Sequence, residues 1–444
     1  MDLNAIFKAY DVRGVYSEQI DETVVKRIGA AFAKVTGAKS VVVGRDMRVS
    51  SEPLAAAFRE GATSQGVDVV DIGLVSTDAM YFASGHLNMP GAMLTASHNP
   101  GKYNGIKMCR EKASPIGEES GLRDIRKLAE AGLPPAAATG TVTEQNVLAL
   151  FVEHCLRVVD VSSMRPLKVV VDAANGMGGM IVPPVFDRLP VELIPLYFEL
   201  DGTFPNHPAD PIQPDNLVDL IKAIRDSGAD LGLAFDGDAD RVFLVDENGE
   251  PASGSLVTAL VAGEVLDAEP GASIVHNLIC SRVVPEVVRE KGGTPIRTRV
   301  GHSFIKQVMA ETGAAFGGEH SGHYYFRENF RADSGILCAL HVMMALSKQD
   351  AKMSEVLEPL RRYWNSGEIN SVVADQDMAL RLLGEACSDG RQDWSDGLTV
   401  DYEDWWFNAR GSNTEPLLRL NVEAKDPEFG AAKTKELLEV IARS

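Results

Sequence analysis

The stretch Asp236-Gly237-Asp238-Ala239-Asp240-Arg241 lies between two apolar runs, Leu231-Gly232-Leu233-Ala234-Phe235 before it and Val242-Phe243-Leu244-Val245 after it. On an extended backbone alternate side chains face one way, so the three carboxylates are expected to converge on one point. Such convergence is costly unless a cation compensates it. A hard divalent ion with oxygen ligands is the expected occupant, with Mg2+ first. The nearest rival is an EF-hand calcium loop, because Glu247 falls twelfth counting from Asp236. Its sixth position, however, holds Arg241 where the sharp turn needs glycine, and the flanks read as strands where helices are required. An acidic, solvated turn between two strands is the remaining alternative.

Outward from this loop, short β-rich runs alternate with longer helical patterns: Val41-Val42-Val43 before Gly44, Val169-Val170-Val171 before Asp172, Ile274-Val275 before His276. This is the pattern of βαβ units with helices on both faces of a sheet. Its recurrence predicts three similar α/β domains with mixed, mostly parallel sheets, followed by a smaller α+β C-terminal domain. The expected divisions are residues 1–143, 144–250, 251–365 and 366–444. Within the second unit, the proline-studded residues 201–214 cannot be regular helix or central strand and read as a surface or cleft-lining loop.

A chain of 444 residues exceeds what one core holds, in keeping with several domains. With 43 basic and 63 acidic residues the formal charge is −20, and the pI is near 4.9. That balance argues against nucleic acid or an anionic membrane as the main partner. An anionic substrate must then be drawn by a local cluster of arginine and lysine. The five cysteines, at 109, 155, 280, 338 and 387, show neither zinc spacing nor a disulfide framework. The first residues lack a signal-peptide pattern, and the apolar run near Ile336 is short and broken by His341. A cytoplasmic protein is expected.

Three further loops carry chemistry. Thr95-Ala96-Ser97-His98-Asn99-Pro100, with Lys107 close behind, lacks the G-x-S-x-G nucleophile elbow. Ser97 can merely close a turn before Pro100. Beside a metal trio, its oxygen becomes a candidate phosphoryl carrier, with His98 and Lys107 supplying positive charge. Gly318-Glu319-His320-Ser321-Gly322-His323 tempts a zinc reading, but the H-E-x-x-H order is missing. A carboxylate flanked by serine and histidine suits the vicinal hydroxyls of a sugar better. Arg410-Gly411-Ser412-Asn413-Thr414-Glu415-Pro416 reads either as an anion cradle or as a polar hairpin turn. Trp405 and Trp406, just upstream, read as core.

Together with Y-D-V-R-G at residues 10–14, the runs T-A-S-H-N-P, D-G-D-A-D-R, G-E-H-S-G-H and R-G-S-N-T-E-P follow the order and approximate spacing of the α-D-phosphohexomutase family, which the whole chain resembles. The resemblance implies a heart-shaped molecule around a central cleft, interconverting hexose 6-phosphates and hexose 1-phosphates. It implies that Ser97 is phosphorylated and donates to the substrate, giving a bound hexose 1,6-bisphosphate whose other phosphate returns to Ser97. Asp236, Asp238 and Asp240, with a Ser97 phosphoryl oxygen, would hold Mg2+. Glu319 and Ser321 would grip sugar hydroxyls near His323, and Arg410, Ser412, Asn413 and Thr414 would hold the phosphate not being transferred. Arg13, Lys107 and Arg241 would stabilise charge, and Lys107 or His302 would move the proton. The His320 form of the sugar loop resembles mannose enzymes, with glucose as a second sugar, over the glutamine-bearing form common in glucosamine enzymes. One departure is Arg282, near where several relatives carry a lysine: it either replaces that cation or the contact is lost. Small hexose phosphates are the expected partners of a monomer or weak homo-oligomer. The rival class is a metal-dependent sugar-phosphate phosphatase, in which water intercepts the phosphoserine. A binding protein that had lost catalysis would show erosion at Ser97 or the aspartates, and none is seen.

Overall fold

The computed structural model describes residues 2–411 and 417–443, which form four sheets in chain order. The first has six strands: Val12–Val15, Tyr103–Cys109, Gly91–Leu94, Ser40–Arg45, Asp68–Leu74 and Val142–Glu144, in that spatial order. The second runs Pro251–Ala252, Val242–Asp246, Leu231–Phe235, Leu167–Asp172, Val191–Leu196, and the third runs Thr294–Thr298, Ser273–Asn277, Phe316–Gly318, Tyr324–Phe326, Ala332–Asp333. Each of these three joins parallel strands to an antiparallel hairpin and an antiparallel edge strand. The fourth sheet is wholly antiparallel, from Trp364–Val372 to Arg391–Asp393. The edge strand of the first sheet ends at Glu144, one residue past the expected division, and the fourth sheet opens at Trp364, two before it.

Central strands such as Val41-Val42-Val43 and Leu231–Phe235 are buried throughout, as expected of strands covered on both faces. The helix Gly335–Ser347 is apolar nearly all round and correspondingly buried, with His341 stacked on Phe326 at 5.2 Å. One apolar cluster runs through the first three units, including Phe82, Phe151, Val171, Phe235, Tyr324 and Leu337, so they share a core. The fourth unit has its own, built on Phe407, Leu418, Leu420 and Trp405. Trp406 is buried too, its indole N–H donating to Glu423 at 2.7 Å. Among the described residues no helix is long and apolar enough to cross a membrane.

Candidate active site

The three chemical loops of the α/β units occupy one equivalent place. Residues 95–102 join Gly91–Leu94 to Tyr103–Cys109, residues 236–241 join Leu231–Phe235 to Val242–Asp246, and residues 319–323 join Phe316–Gly318 to Tyr324–Phe326. In each unit this is the hairpin where the parallel part of the sheet gives way to the antiparallel part, at the carboxyl end of a parallel strand. Binding groups collect there in open α/β sheets. In the fourth sheet the strands Trp405–Gly411 and Leu417–Ala424 pair antiparallel, and residues 412–416 between them lie outside the described residues.

The aspartates converge, but through a tight turn and not along an extended strand as their spacing suggested. Ala239 adopts φ 60°, a left-handed conformation costly for a residue with a Cβ, and this folds the loop back on itself. Carboxylate oxygens from Asp236, Asp238 and Asp240 come within 4.8 Å of one another, and all three residues are fully buried. Arg241 closes the loop, donating from its backbone N–H to Asp236 Oδ1 at 3.1 Å and from Nε to Oδ2 at 3.0 Å. Lys107 reaches in from the first unit to Asp238 Oδ2 at 2.8 Å and to Asp240 Oδ2. Burial and the neighbouring Asp238 charge push the Asp240 carboxyl up to about 7, and burial pushes Asp236 up to about 6. At Asp238 burial acts the same way, but the Lys107 ammonium outweighs it and holds that carboxyl below its usual range. Asp238 Oδ1 and Asp240 Oδ1 are buried with no hydrogen-bond partner among the described residues. Buried acceptors of this kind demand a donor or a cation, and an all-oxygen set fits a hard metal ion.

Ser97 faces this cluster: its Oγ donates to Asp236 Oδ2 at 2.7 Å, across 139 positions of sequence. Its φ of 51° is again left-handed for a non-glycine residue. Two devices hold it there. Gly237 allows the metal loop to touch the serine loop, since a Cβ on it would meet the Ser97 carbonyl oxygen at 2.3 Å. On the other side the buried Arg48, paired with Asp46 at 3.1 Å, donates to the carbonyls of Ser97, Asn99, Pro100 and Tyr103. Residues 201–214 pack against this strap, with Phe204 5.1 Å from the Arg48 guanidinium. Nothing in the local pattern around Arg48 marks this role; its partners lie about fifty residues away.

Arg13 donates to Asn99 Oδ1 at 2.5 Å, which brings it to the serine loop. His98 Nδ1 lies 3.3 Å from Ser97 Oγ. Burial, then the Arg241 and Arg13 charges, holds His98 well below the usual histidine value. It is therefore neutral at pH 7 and lends no positive charge, contrary to expectation. Lys107 is the opposite: burial opposes its charge, but Asp238 and Asp240 raise its pKa well above the usual value. It is a fixed cation and no proton acceptor. His302 is held down to about 3 by burial, with Nδ1 buried and unpartnered among the described residues.

The loop of the third unit meets the aspartate loop through a backbone bridge between Arg241 and His323. Glu319 is buried, accepting from Tyr325 Oη at 2.8 Å, Asn277 Nδ2 at 3.2 Å and the Gly301 N–H at 3.2 Å. Ser321 Oγ lies 3.2 Å from His323 Nδ1. In the fourth unit Arg410 pairs with Glu368 at 3.2 Å, while Ser412, Asn413 and Thr414 lie outside the described residues. Arg282 does not replace the missing lysine. Its guanidinium is spent on the fourth unit, donating to Tyr402 O at 2.5 Å, Glu403 O at 3.0 Å and Trp405 O at 3.0 Å. A cleft of about 920 Å³ joins all four units, lined among others by His98, Arg241, His320, Glu368 and Arg419. Its size suits a small polar ligand.

Comparison with known proteins agrees along the whole length. Residues 4–133, 149–249 and 253–363 match the alpha/beta/alpha domains I, II and III of phosphoglucomutase/phosphomannomutase, and residues 368–440 match its C-terminal domain. The chain is 40% identical to a phosphomannomutase of Salmonella montevideo, over 98% of each chain. It is 39% identical to the phosphohexose mutases of Xanthomonas campestris, over 97% of this chain and 98% of theirs. A crystal structure of a phosphoglucomutase/phosphomannomutase family protein from Burkholderia thailandensis superposes with a TM-score of 0.91 at 34% identity, covering 99% of this chain and 97% of that one. Loops, sheets and relatives converge: the chain belongs to the phosphoglucomutase/phosphomannomutase family and is an isomerase of the mutase type.

Proposed function

We propose that this mutase interconverts mannose 6-phosphate and mannose 1-phosphate, with glucose phosphates as second substrates, through a phosphorylated Ser97 and a bound hexose 1,6-bisphosphate. The observation that carries the reading is Ser97 Oγ at 2.7 Å from Asp236 in a cluster whose Asp238 Oδ1 and Asp240 Oδ1 have no hydrogen-bond partner among the described residues. Asp236, Asp238 and Asp240 would hold Mg2+ together with a phosphoryl oxygen on Ser97, and a bound ion would supply charge neutralisation to the transferring group. In the first transfer the Oγ–P bond breaks as a bond forms from phosphorus to a sugar hydroxyl oxygen. The proton of that hydroxyl is given up as the bond forms and the departing Ser97 Oγ takes one up, with His302 as the candidate carrier between them. In the second transfer the other phosphate leaves its sugar oxygen for Ser97 Oγ, and the proton released from Oγ passes to that sugar oxygen. Lys107, Arg13 and Arg241 are the fixed cations around the transferring group.

Glu319 and Ser321, with His323 beside them, orient the sugar, and Arg410, Ser412, Asn413 and Thr414 hold the idle phosphate, so that two sugar orientations share one reacting centre. The mannose preference rests on the named phosphomannomutase relatives and on His320 in the sugar loop. The four units divide after Glu144, after Ala252 and before Trp364, one or two residues from the expected divisions, because the strands Val142–Glu144, Pro251–Ala252 and Trp364–Val372 belong to the first, second and fourth sheets. The enzyme works as a monomer or weak homo-oligomer in the cytoplasm, where its five buried thiols stay reduced.

The test is a coupled assay on mannose 1-phosphate, glucose 1-phosphate and glucosamine 1-phosphate, with free phosphate measured in parallel. The reading predicts isomer formation, fastest with mannose, and little free phosphate. Dominant phosphate release from every substrate would mark a hydrolase, and a preference for glucosamine 1-phosphate would move the sugar assignment.

A further inference from the structure

The helix Thr77–Leu87 begins with Ser76-Thr77-Asp78, a run that reads in sequence as an ordinary helix cap. The structure uses it otherwise. Ser76 makes no side-chain cap bond, and its hydroxyl donates to Asp78. Thr77 is fully buried and turns outward from its own helix toward the second unit. Its Oγ1 donates to Asp238 Oδ2 at 2.5 Å, and its backbone N–H donates to the Asp238 carbonyl at 3.0 Å. Asp78 then accepts from Ser334 Oγ of the third unit at 2.7 Å. The start of this helix therefore ties three units together directly beneath the aspartate cluster.

The division of labour at Asp238 is atom-specific. Oδ2 carries both Thr77 Oγ1 and Lys107 Nζ, whereas Oδ1 is buried with no partner among the described residues. Two donors on one oxygen fix the rotation of the carboxylate plane and leave the other oxygen aimed and free. Hydrogen bonds of this kind set the orientation and basicity of metal ligands, and losing one typically weakens metal affinity by about 10–100-fold.

We infer that Thr77 is a positioning residue of the metal centre: its hydroxyl anchors Asp238 Oδ2 across the boundary between the first two units, so that Oδ1 is presented to the ion. The inference rests on the aspartate cluster being the metal site. Lys107 cannot substitute for it alone, because that ammonium is shared with Asp240 and leaves the carboxylate free to rotate about a single contact.

The test uses the full-length, dephosphorylated protein titrated with Mn2+, with free ion read by electron paramagnetic resonance, and thermal unfolding without metal recorded for each variant. Thr77→Val keeps the shape and removes the donor. It should weaken Mn2+ binding about tenfold or more, and Thr77→Ser, which keeps the hydroxyl, should restore most of it. In the mutase assay the half-saturating Mg2+ concentration should rise by a similar factor, with activity recovering at high Mg2+. If Thr77→Val binds Mn2+ like the wild type while Asp238→Asn does not bind it, Thr77 has no such role. If Asp238→Asn binds as tightly as the wild type, the metal assignment itself fails. Should the valine variant not fold, Thr77→Ala carries the same comparison. Equal weakening in the alanine and serine variants would also refute the inference.

Discussion

Replacing Gly237 with alanine would place a Cβ 2.3 Å from the Ser97 carbonyl oxygen, 3.3 Å from its carbonyl carbon and 3.5 Å from the Ala209 Cβ. A carbon–oxygen contact settles at about 3.3 Å, so the two loops must part by about 1 Å. The serine loop cannot yield cheaply, because Arg48 Nη2 holds the same carbonyl oxygen at 2.7 Å and the guanidinium also holds the carbonyls of Asn99, Pro100 and Tyr103. The metal loop must move instead, and the 2.7 Å contact between Ser97 Oγ and Asp236 opens past hydrogen-bond range. A displacement of about 1 Å at reacting groups costs about 100-fold in rate, equivalent to about 2.7 kcal/mol of barrier. The overpacking itself costs about 1–3 kcal/mol of stability. The measurement is kcat for mannose 1-phosphate in the coupled assay, beside the unfolding midpoint. Gly263→Ala is the control: it lies within the helix Gly254–Ala268, and its nearest new neighbour is Lys291 Cε at 3.9 Å. The account expects a fall of about two orders of magnitude for Gly237→Ala and no loss for Gly263→Ala. A kcat for Gly237→Ala within threefold of wild type would refute the claim that contact between these two loops sets the geometry.

Three other outcomes follow from the same structure. Arg48→Lys keeps a charge beside Asp46 but cannot fork to four carbonyls; unsatisfied buried acceptors should cost about 2 kcal/mol or more, and kcat should fall further than a stability change explains. Equal kcat would show that the serine loop holds itself. Arg282→Ala should raise KM for the hexose phosphate with less effect on kcat, because its guanidinium fastens the fourth unit and touches no reacting group; an unchanged KM would show that the fastening is unimportant to binding. Burial holds His276 and His341 at about 4 in the folded protein, against the ordinary 6.5. The unfolded chain therefore binds more protons between those values, and stability should drop as pH falls from about 6.5 to about 4, by on the order of 3 kcal/mol per histidine. His341→Leu should shrink the difference in unfolding temperature between pH 7 and pH 5, and an identical difference would remove His341 from the effect.

What could be read from the sequence follows from where the chemistry sits. Each working loop is a compact run of polar residues after an apolar strand, so Ser97, the aspartates, Glu319 and Arg410 announce themselves within a few positions. The alternation of strands and helices likewise shows four sheets in order, because burial on both faces leaves a local pattern. The supports were not legible. Arg48 reaches Ser97 across 49 positions, Thr77 reaches Asp238 across 161, and Arg282 reaches Tyr402 across 120. No local spacing encodes those partnerships, and Thr77, as the first residue of a helix, gives no sign of a partner in another unit. Charge state was illegible for the same reason: His98 looked cationic until burial and two arginines were placed around it. The aspartate spacing pointed to the convergence of the three carboxylates through the wrong backbone, since a turn at Ala239 does what an extended strand was expected to do.

The central claim is that the phosphoryl group travels through Ser97. Incubating the dephosphorylated enzyme with a hexose 1,6-bisphosphate and mapping phosphorylated peptides by mass spectrometry tests it directly. The account predicts phosphate on Ser97 alone, chased off by excess hexose phosphate, with label and turnover both lost in Ser97→Ala. Stable phosphate at another residue, or full turnover by Ser97→Ala, would contradict it.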